Sequence, residues 1–317
     1  MAKLIANLFL ILVCSFARAK PLLNEPIRPI PDPVIKSAEQ VEIGRLLFHD
    51  VRLSKNNQLS CASCHSLKYG GADGQVVSSG VNGSKGLINS PTVFNSSLNF
   101  RQFWDGRAAN LLHQIDGPIS NPIEMNSSWP EVLSKLEQDP FYIAQFKQEF
   151  SSGLTISNIK AAIVSFEESL LTPNSRFDLY LKNDLNALTT DELEGYQIFK
   201  QYGCISCHQG VAIGGNLYQR FGIMADYFAD RGNITAADLG RFQVTHNEAD
   251  RYVFKVPSLR NVALTAPYFH DGFTQNLDDA VAIMVRYQLG RVADQQTIHK
   301  IVLFLNTLTG QYQNKPL

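Results

Sequence analysis

Two short runs in this chain carry the residues for chemistry: Cys61-Ala62-Ser63-Cys64-His65 and Cys204-Ile205-Ser206-Cys207-His208. Cysteines three positions apart lie on one side of a helical turn, so both thiols can reach the vinyl groups of one haem and form thioethers. The adjacent histidine then sits beneath the iron as proximal ligand. Zinc fits less well, because His65 and His208 follow their cysteines too closely for finger spacing. A thioredoxin-like dithiol or a disulfide leaves the histidines unexplained. Of the 5 cysteines, only Cys14 lies outside the two motifs. The sequence therefore implies two covalently attached haems c and no structural disulfide.

The ligand opposite each histidine decides what its iron does. Methionine there raises the potential and closes the site. Met224 and Met284 are candidates for the second iron. Met284 is the better placed, late in the unit after a helix-like start, and the bland reading of either is core filling. Near the first motif, no His or Met occurs between Ser66 and Leu112, and the nearest candidates are His113 and Met125. An iron without a strong sixth ligand is open to a small molecule such as peroxide. The pair reads as an open reaction site served by a closed electron-entry site.

The elements that must hold these residues are mostly helical. The chain has 317 residues, 44% hydrophobic and 18% charged, which suits two domains of ordinary size. A net charge of −1 offers no basic surface for nucleic acid. Residues 1–19 read as a signal peptide: a basic start, a short apolar run from Leu4 to Phe16, and Ala17-Arg18-Ala19 for cleavage after Ala19. Cys14 leaves with it. The apolar run is too short to span a membrane and no later run is long enough, so a soluble periplasmic protein is expected.

Residues 20 to 34, with five prolines, read as an extended arm. Ser37, with Gln40 three positions on, is a plausible N-cap. Residues 82–95 read as a loop, 130–150 and 157–171 as amphipathic helices, and Thr189 as the cap of a second unit. No strict repeat is visible. The expected fold is mainly α: two cytochrome c-like domains, 20–185 (peroxidatic) and 186–317 (electron transfer), each with one covalently bound haem and long loops.

Specific stretches resemble the bacterial di-haem cytochrome c peroxidases, the group that includes the MauG-type enzymes. They are Gly70-Gly71-Ala72-Asp73, Asn89-Ser90-Pro91-Thr92-Val93-Phe94-Asn95, Phe103-Trp104-Asp105-Gly106-Arg107, and Gly117 to Met125. In the second half they are Phe254 to Val262, Thr265 to Gly272, and Tyr287-Gln288-Leu289-Gly290. The resemblance covers nearly the whole mature chain. It implies that Glu124 is the acid-base residue over the open iron and that Gln114 orients peroxide. Trp104 would relay electrons between the haems, and Met284 would be the second iron's axial ligand. Asn89, Thr265 and Pro267 would surround a calcium ion, the latter two through backbone carbonyls, and His270 would sit near haem propionates.

Bland readings stand beside these. Glu124 could be a surface charge, Gln114 a solvated helix residue, Trp104 core, the calcium set turn formers, and His270 an interface residue. His49, His113, His246 and His299 match nothing and read as surface or packing histidines.

Many family members carry a distal histidine on the loop after the first motif. Here Val81 stands at that position, and valine cannot ligate iron; Lys85 is a weak alternative. The resemblance thus implies a first haem open at rest. It also implies a peroxidase that takes electrons from a small cytochrome c or a cupredoxin, and homodimers are common in the family. Two rivals remain: a MauG-like oxidase that matures a partner protein's cofactor, and a non-enzymatic di-haem electron carrier. MauG-like members place Tyr rather than Met on the second iron.

Overall fold

The computed structural model describes residues 25–317; the expected signal peptide and its cleavage site lie outside the described residues. The fold is dominated by helices. Its strands are short antiparallel pairs, Tyr218–Arg220 with Val253–Lys255 and Gln311–Tyr312 with Lys315–Pro316.

Two crossed helix pairs organise the core. Ala38–Phe48 starts at Ser37, whose hydroxyl accepts the Gln40 N–H at 3.1 Å. It packs on Ile156–Ser169, capped by Thr155. Gly44 lies at the crossing: a Cβ there would meet the Ala162 carbonyl oxygen at 1.9 Å. Thr190–Tyr202 begins with a capping box of Thr189 and Glu192 and crosses Gln295–Asn306. Here Gly195 allows the same approach, to the Lys300 carbonyl. Each pair buries its own apolar cluster, Ile43, Leu47, Ile159 and Ile163 in one and Tyr196, Phe199, Ile301 and Phe304 in the other. Each such side chain contributes about 1.5–3 kcal/mol on burial.

The expected helix over 130–150 is two helices, Trp129–Leu136 and Pro140–Glu149. Asp139 caps the second, accepting the Phe141 N–H at 3.0 Å. Pro140 lacks an N–H and so opens a helix more readily than it continues one.

The chain ends are exchanged. The arm crosses to the second half, where the Gly210 N–H donates to the Pro26 carbonyl at 2.9 Å and Arg260 donates to the Arg28 carbonyl at 2.8 Å. Arg260 is fully buried and paired with Asp178 at 2.8 Å. Ile27, Phe177 and Leu181 share the core of Tyr196 and Phe304. Conversely, Tyr312 and Leu317 pack on Phe48, Phe94 and Phe166 of the first half.

A repeat that is faint in residue identity is plain in the backbone. Asn95 and Asn261 both have φ of 60°, Phe103 and Phe269 both have φ of 69°, and Gly106 and Gly272 are also left-handed. Short 3-10 turns follow each asparagine, Ser96–Leu98 and Val262–Leu264. Bridges Gln102–Ala108 and Tyr268–Thr274 close each copy. Trp104 and His270 occupy equivalent places in the two copies.

Candidate functional site

Both attachment histidines are oriented alike. His65 Nδ1 lies 3.3 Å from the Gly71 carbonyl oxygen, and His208 Nδ1 lies 3.2 Å from that of Ile213. A proton on Nδ1 donated to a carbonyl leaves Nε2 as a lone-pair donor, the form an iron ligand requires. Burial pushes both imidazoles down, His208 to about 4, which also favours the neutral ring. No disulfide joins the four motif cysteines. These residues fit covalent haem at both positions.

A largely apolar cavity adjoins the second motif. Cys204, Cys207, His208 and Met284 line it together. Met284 opens a π-helical turn, Met284–Gln288, after the Leu277–Ile283 helix. Met224 is 60% exposed, packs against Gly290 and does not line that cavity.

The far wall of the cavity holds Trp104, Asn89, Thr265, Pro267, His270 and Lys255. The Trp104 and His270 rings meet edge-on at 6.3 Å, and Trp104 Nε1 donates to the Asn89 carbonyl at 3.0 Å. The Asn89 amide nitrogen donates to the Gln75 carbonyl at 2.9 Å, leaving its amide oxygen available as a ligand atom. Lys255 is buried and pushed down to about 8 by that burial. It has no ion-pair partner among the described residues, so it is a cation awaiting an anion from whatever fills the cavity.

Around the first motif the surroundings differ. Ser78, in the loop after the motif, donates to the Asp73 carboxylate at 2.6 Å and lies near enough to the Cys64 thiol to favour its charged form. Val81 in that loop is buried, and its N–H donates to the Glu124 carbonyl at 2.8 Å. Gly80 is needed there, because a Cβ would meet the Ile123 carbonyl oxygen at 1.9 Å. Burial pushes the Glu124 carboxyl above the usual carboxylate range, against the pull of the Asn121 amide at 2.8 Å and the Arg107 charge. Gln114 ends the Leu111–Gln114 turn, half-buried, with no side-chain hydrogen-bond partner among the described residues. Met125 is packed in the apolar cluster of Ile119 and Val132. The structure thus brings Val81 and Glu124 together, and Trp104, Asn89 and His270 together. Gln114 makes no side-chain hydrogen bond to either group among the described residues.

The residues that hold His270 were not foreseen. His270 Nε2 lies 2.7 Å from Asp238 Oδ1, and Arg231 clasps the same carboxylate at 2.8 and 2.9 Å while also pairing with Asp271. Asp238, His270 and Asp271 converge closely enough to suggest a metal site, but the Arg231 guanidinium already occupies both carboxylates. Burial pushes Asp238 up, and the His270 and Arg231 bonds more than offset it, holding it well below the usual range. In the sequence, Thr235-x-x-Asp238 reads only as a capping box, and that box is also present. His49, His113, His246 and His299 are all exposed.

Two Cys-x-x-Cys-His motifs with oriented histidines in a helical chain define a c-type cytochrome class with two attachment sites. Known proteins narrow it. The family described as di-haem cytochrome c peroxidase matches residues 38–186. Cytochrome c peroxidase Ccp of Escherichia coli is 50% identical over 91% of this chain, which spans 62% of that longer protein. Cytochrome c551 peroxidase of Nitrosomonas europaea is 50% identical over 90% of this chain and 85% of its own. A MauG-like protein associated with microbial copper homeostasis superposes with a TM-score of 0.78 at 28% identity, covering 89% of this chain and 94% of the other. The chain belongs to the di-haem cytochrome c peroxidase family.

Proposed function

We propose that this chain is an exported, periplasmic peroxidase that reduces hydrogen peroxide to water with electrons from a small cytochrome c or cupredoxin. It is built as two cytochrome c-like domains, 20–185 and 186–317, with a haem c on each motif and a calcium ion between them at Asn89, Thr265 and Pro267. The observation that carries this reading is the inequality of the two histidine environments. Met284 stands in the cavity of His208, whereas Val81 and Glu124, which offer no strong iron ligand, stand beside the motif of His65.

When bound, the haems supply the redox chemistry and the peroxide-binding iron. The chain's own residues do the rest. His65 and His208 present Nε2 because their Nδ1 protons are held by carbonyls. Glu124, raised by burial, takes a proton from peroxide and returns it to the departing oxygen. Gln114 orients the bound peroxide. Met284 closes the electron-entry site, and Trp104 lies on the path between the sites. His270 and Lys255 line the cavity of His208 and would meet the carboxylates of a haem bound there.

Met284 favours this reading over a MauG-like oxidase. The test is steady-state peroxide consumption by the holoprotein with a reduced small cytochrome c. Turnover at rates typical of enzymes supports it, and absence of turnover with two six-coordinate haems replaces it with an electron carrier.

A further inference from the structure

An aromatic stack leads from Trp104 toward the surface on the side of the Met284–Gln288 turn. The His270 ring, 6.3 Å from Trp104, lies 5.9 Å from Phe228. Phe228 lies 5.4 Å from Tyr227, and Tyr227 lies 5.3 Å from Tyr287. Phe228 also stacks on Tyr252 at 4.4 Å. Rings in contact pass an electron vacancy by short steps, and of these side chains only tryptophan and tyrosine are easily oxidised.

The hydroxyls decide where a vacancy can rest. A tyrosine that loses an electron becomes a strong acid and must lose its proton to a neighbour. The Tyr227 hydroxyl is buried with no hydrogen-bond partner among the described residues, so it cannot. No hydrogen bond joins the Tyr252 hydroxyl to a carboxylate there either. The Tyr287 hydroxyl donates to the Asp230 carboxylate at 2.9 Å, and the Asp230 side chain is 52% exposed. Arg286 sits 4.9 Å over the Tyr287 ring and opposes the oxidation, but the same guanidinium lies 3.5 Å from Asp230, which offsets part of its charge.

We propose that Tyr287 and Asp230 form the end of an escape route for oxidising equivalents when peroxide arrives and no donor is present. The inference rests on the peroxidase reading and on Trp104 as its electron relay. In the step, Trp104 that has lost one electron regains it from Tyr287. The Tyr287 hydroxyl proton moves to Asp230, leaving a neutral tyrosyl radical and a protonated carboxyl. A one-electron reductant from solvent then restores Tyr287, with the proton returning from Asp230. The oxidising equivalent is thereby moved away from the haem surroundings to a ring that is itself only 8% exposed but borders the exposed Asp230 side chain, where a solvent reductant can approach.

The test mixes holoprotein with peroxide without donor, freezes it within milliseconds, and records the radical spectrum and the peroxide consumed in the same sample. The expected result is a tyrosyl signal that falls at least tenfold in Tyr287→Phe and in Asp230→Asn and is unchanged in Tyr252→Phe. Turnover with donor should be unchanged in Tyr287→Phe. Without donor, peptide mapping should find more oxidised residues near the motifs in that variant. Peroxide consumed with no tyrosyl signal, or a signal that survives Tyr287→Phe, overturns the escape route and leaves the peroxidase reading standing. Peroxide not consumed at all overturns both.

Discussion

Trp104 and His270 occupy equivalent positions in the two backbone repeats and meet edge to face at 6.3 Å. The exchange around them is reciprocal. The Asn89 N–H donates to the His270 carbonyl at 2.7 Å, and the Lys255 N–H donates to the Trp104 carbonyl at 2.8 Å. The junction between the halves therefore repeats its backbone hydrogen bonds about a local two-fold, with unequal side chains on the two copies. One copy presents an oxidisable indole and the other an imidazole held by Asp238. Trp104→Phe keeps a ring there but removes the Nε1–H bond to Asn89 and the oxidisable group. Turnover with a reduced donor should fall about tenfold or more, with both haem spectra unchanged. Stopped-flow reduction of each haem would check this.

Glu124 must be ionised to take a proton from peroxide. Its carboxyl is raised by burial and drawn back by Asn121 and Arg107, so activity should fail as pH drops through that raised value. Replacing Asn121 by Leu removes a bond that favours the charged form and should move the acid limb of the kcat/KM profile upward. Glu124→Gln should lower kcat by about 10²–10⁴ at every pH.

Val81 is fixed against the Glu124 backbone. Val81→His should place an imidazole where the family's distal ligand stands. The resting first haem should become low-spin, and turnover should then begin only after reduction of the second haem. Electron paramagnetic resonance of the resting variant checks it; an unchanged high-spin signal would place the loop elsewhere.

Glu167 is buried, one of its carboxylate oxygens has no hydrogen-bond partner among the described residues, and burial raises it to about 8. The folded state holds this carboxyl neutral, while the unfolded chain ionises it near the ordinary 4.5. Its contribution to stability is therefore fully present below the unfolded value. It is lost as pH rises toward 8, by up to about 1.4 kcal/mol per unit. Urea unfolding of holoprotein between pH 5 and 8 should show that slope, and Glu167→Gln should flatten it.

Much of the scaffold was legible because caps are local. Ser37 and Thr189 announce their helices through a hydroxyl three residues from a glutamine or glutamate, and both do cap in the structure. The Asp139-Pro140 break was equally readable, yet apolar periodicity across it outweighed a two-residue signal. The repeat escaped because it is conserved as backbone conformation, with left-handed Asn95, Asn261, Phe103 and Phe269. Its residue trace is thin and scattered: Pro91 with Pro257, Asn95 with Asn261, and Phe-x-Asp-Gly at 103–106 and 269–272. Asp238 and Arg231 could not be found, since a buried ion pair at 32 and more positions from His270 leaves no local pattern. The Val81 substitution was visible from the resemblance, but the hydrogen bond that holds it to Glu124 belongs to tertiary structure.

The exchanged chain ends have a mechanical consequence. The first described residues finish the second unit through Gly210 and Arg260, and the last residues finish the first through Phe48 and Phe94. Cutting the chain at the proposed boundary near residue 185 would therefore yield two damaged halves, each missing a seam that the other carries. A two-module redox protein joined by a hinge can let its centres drift apart. Here the thread itself is laced through both halves, so a shear between the two Cys-x-x-Cys-His motifs has to unpick a core before it can draw them apart.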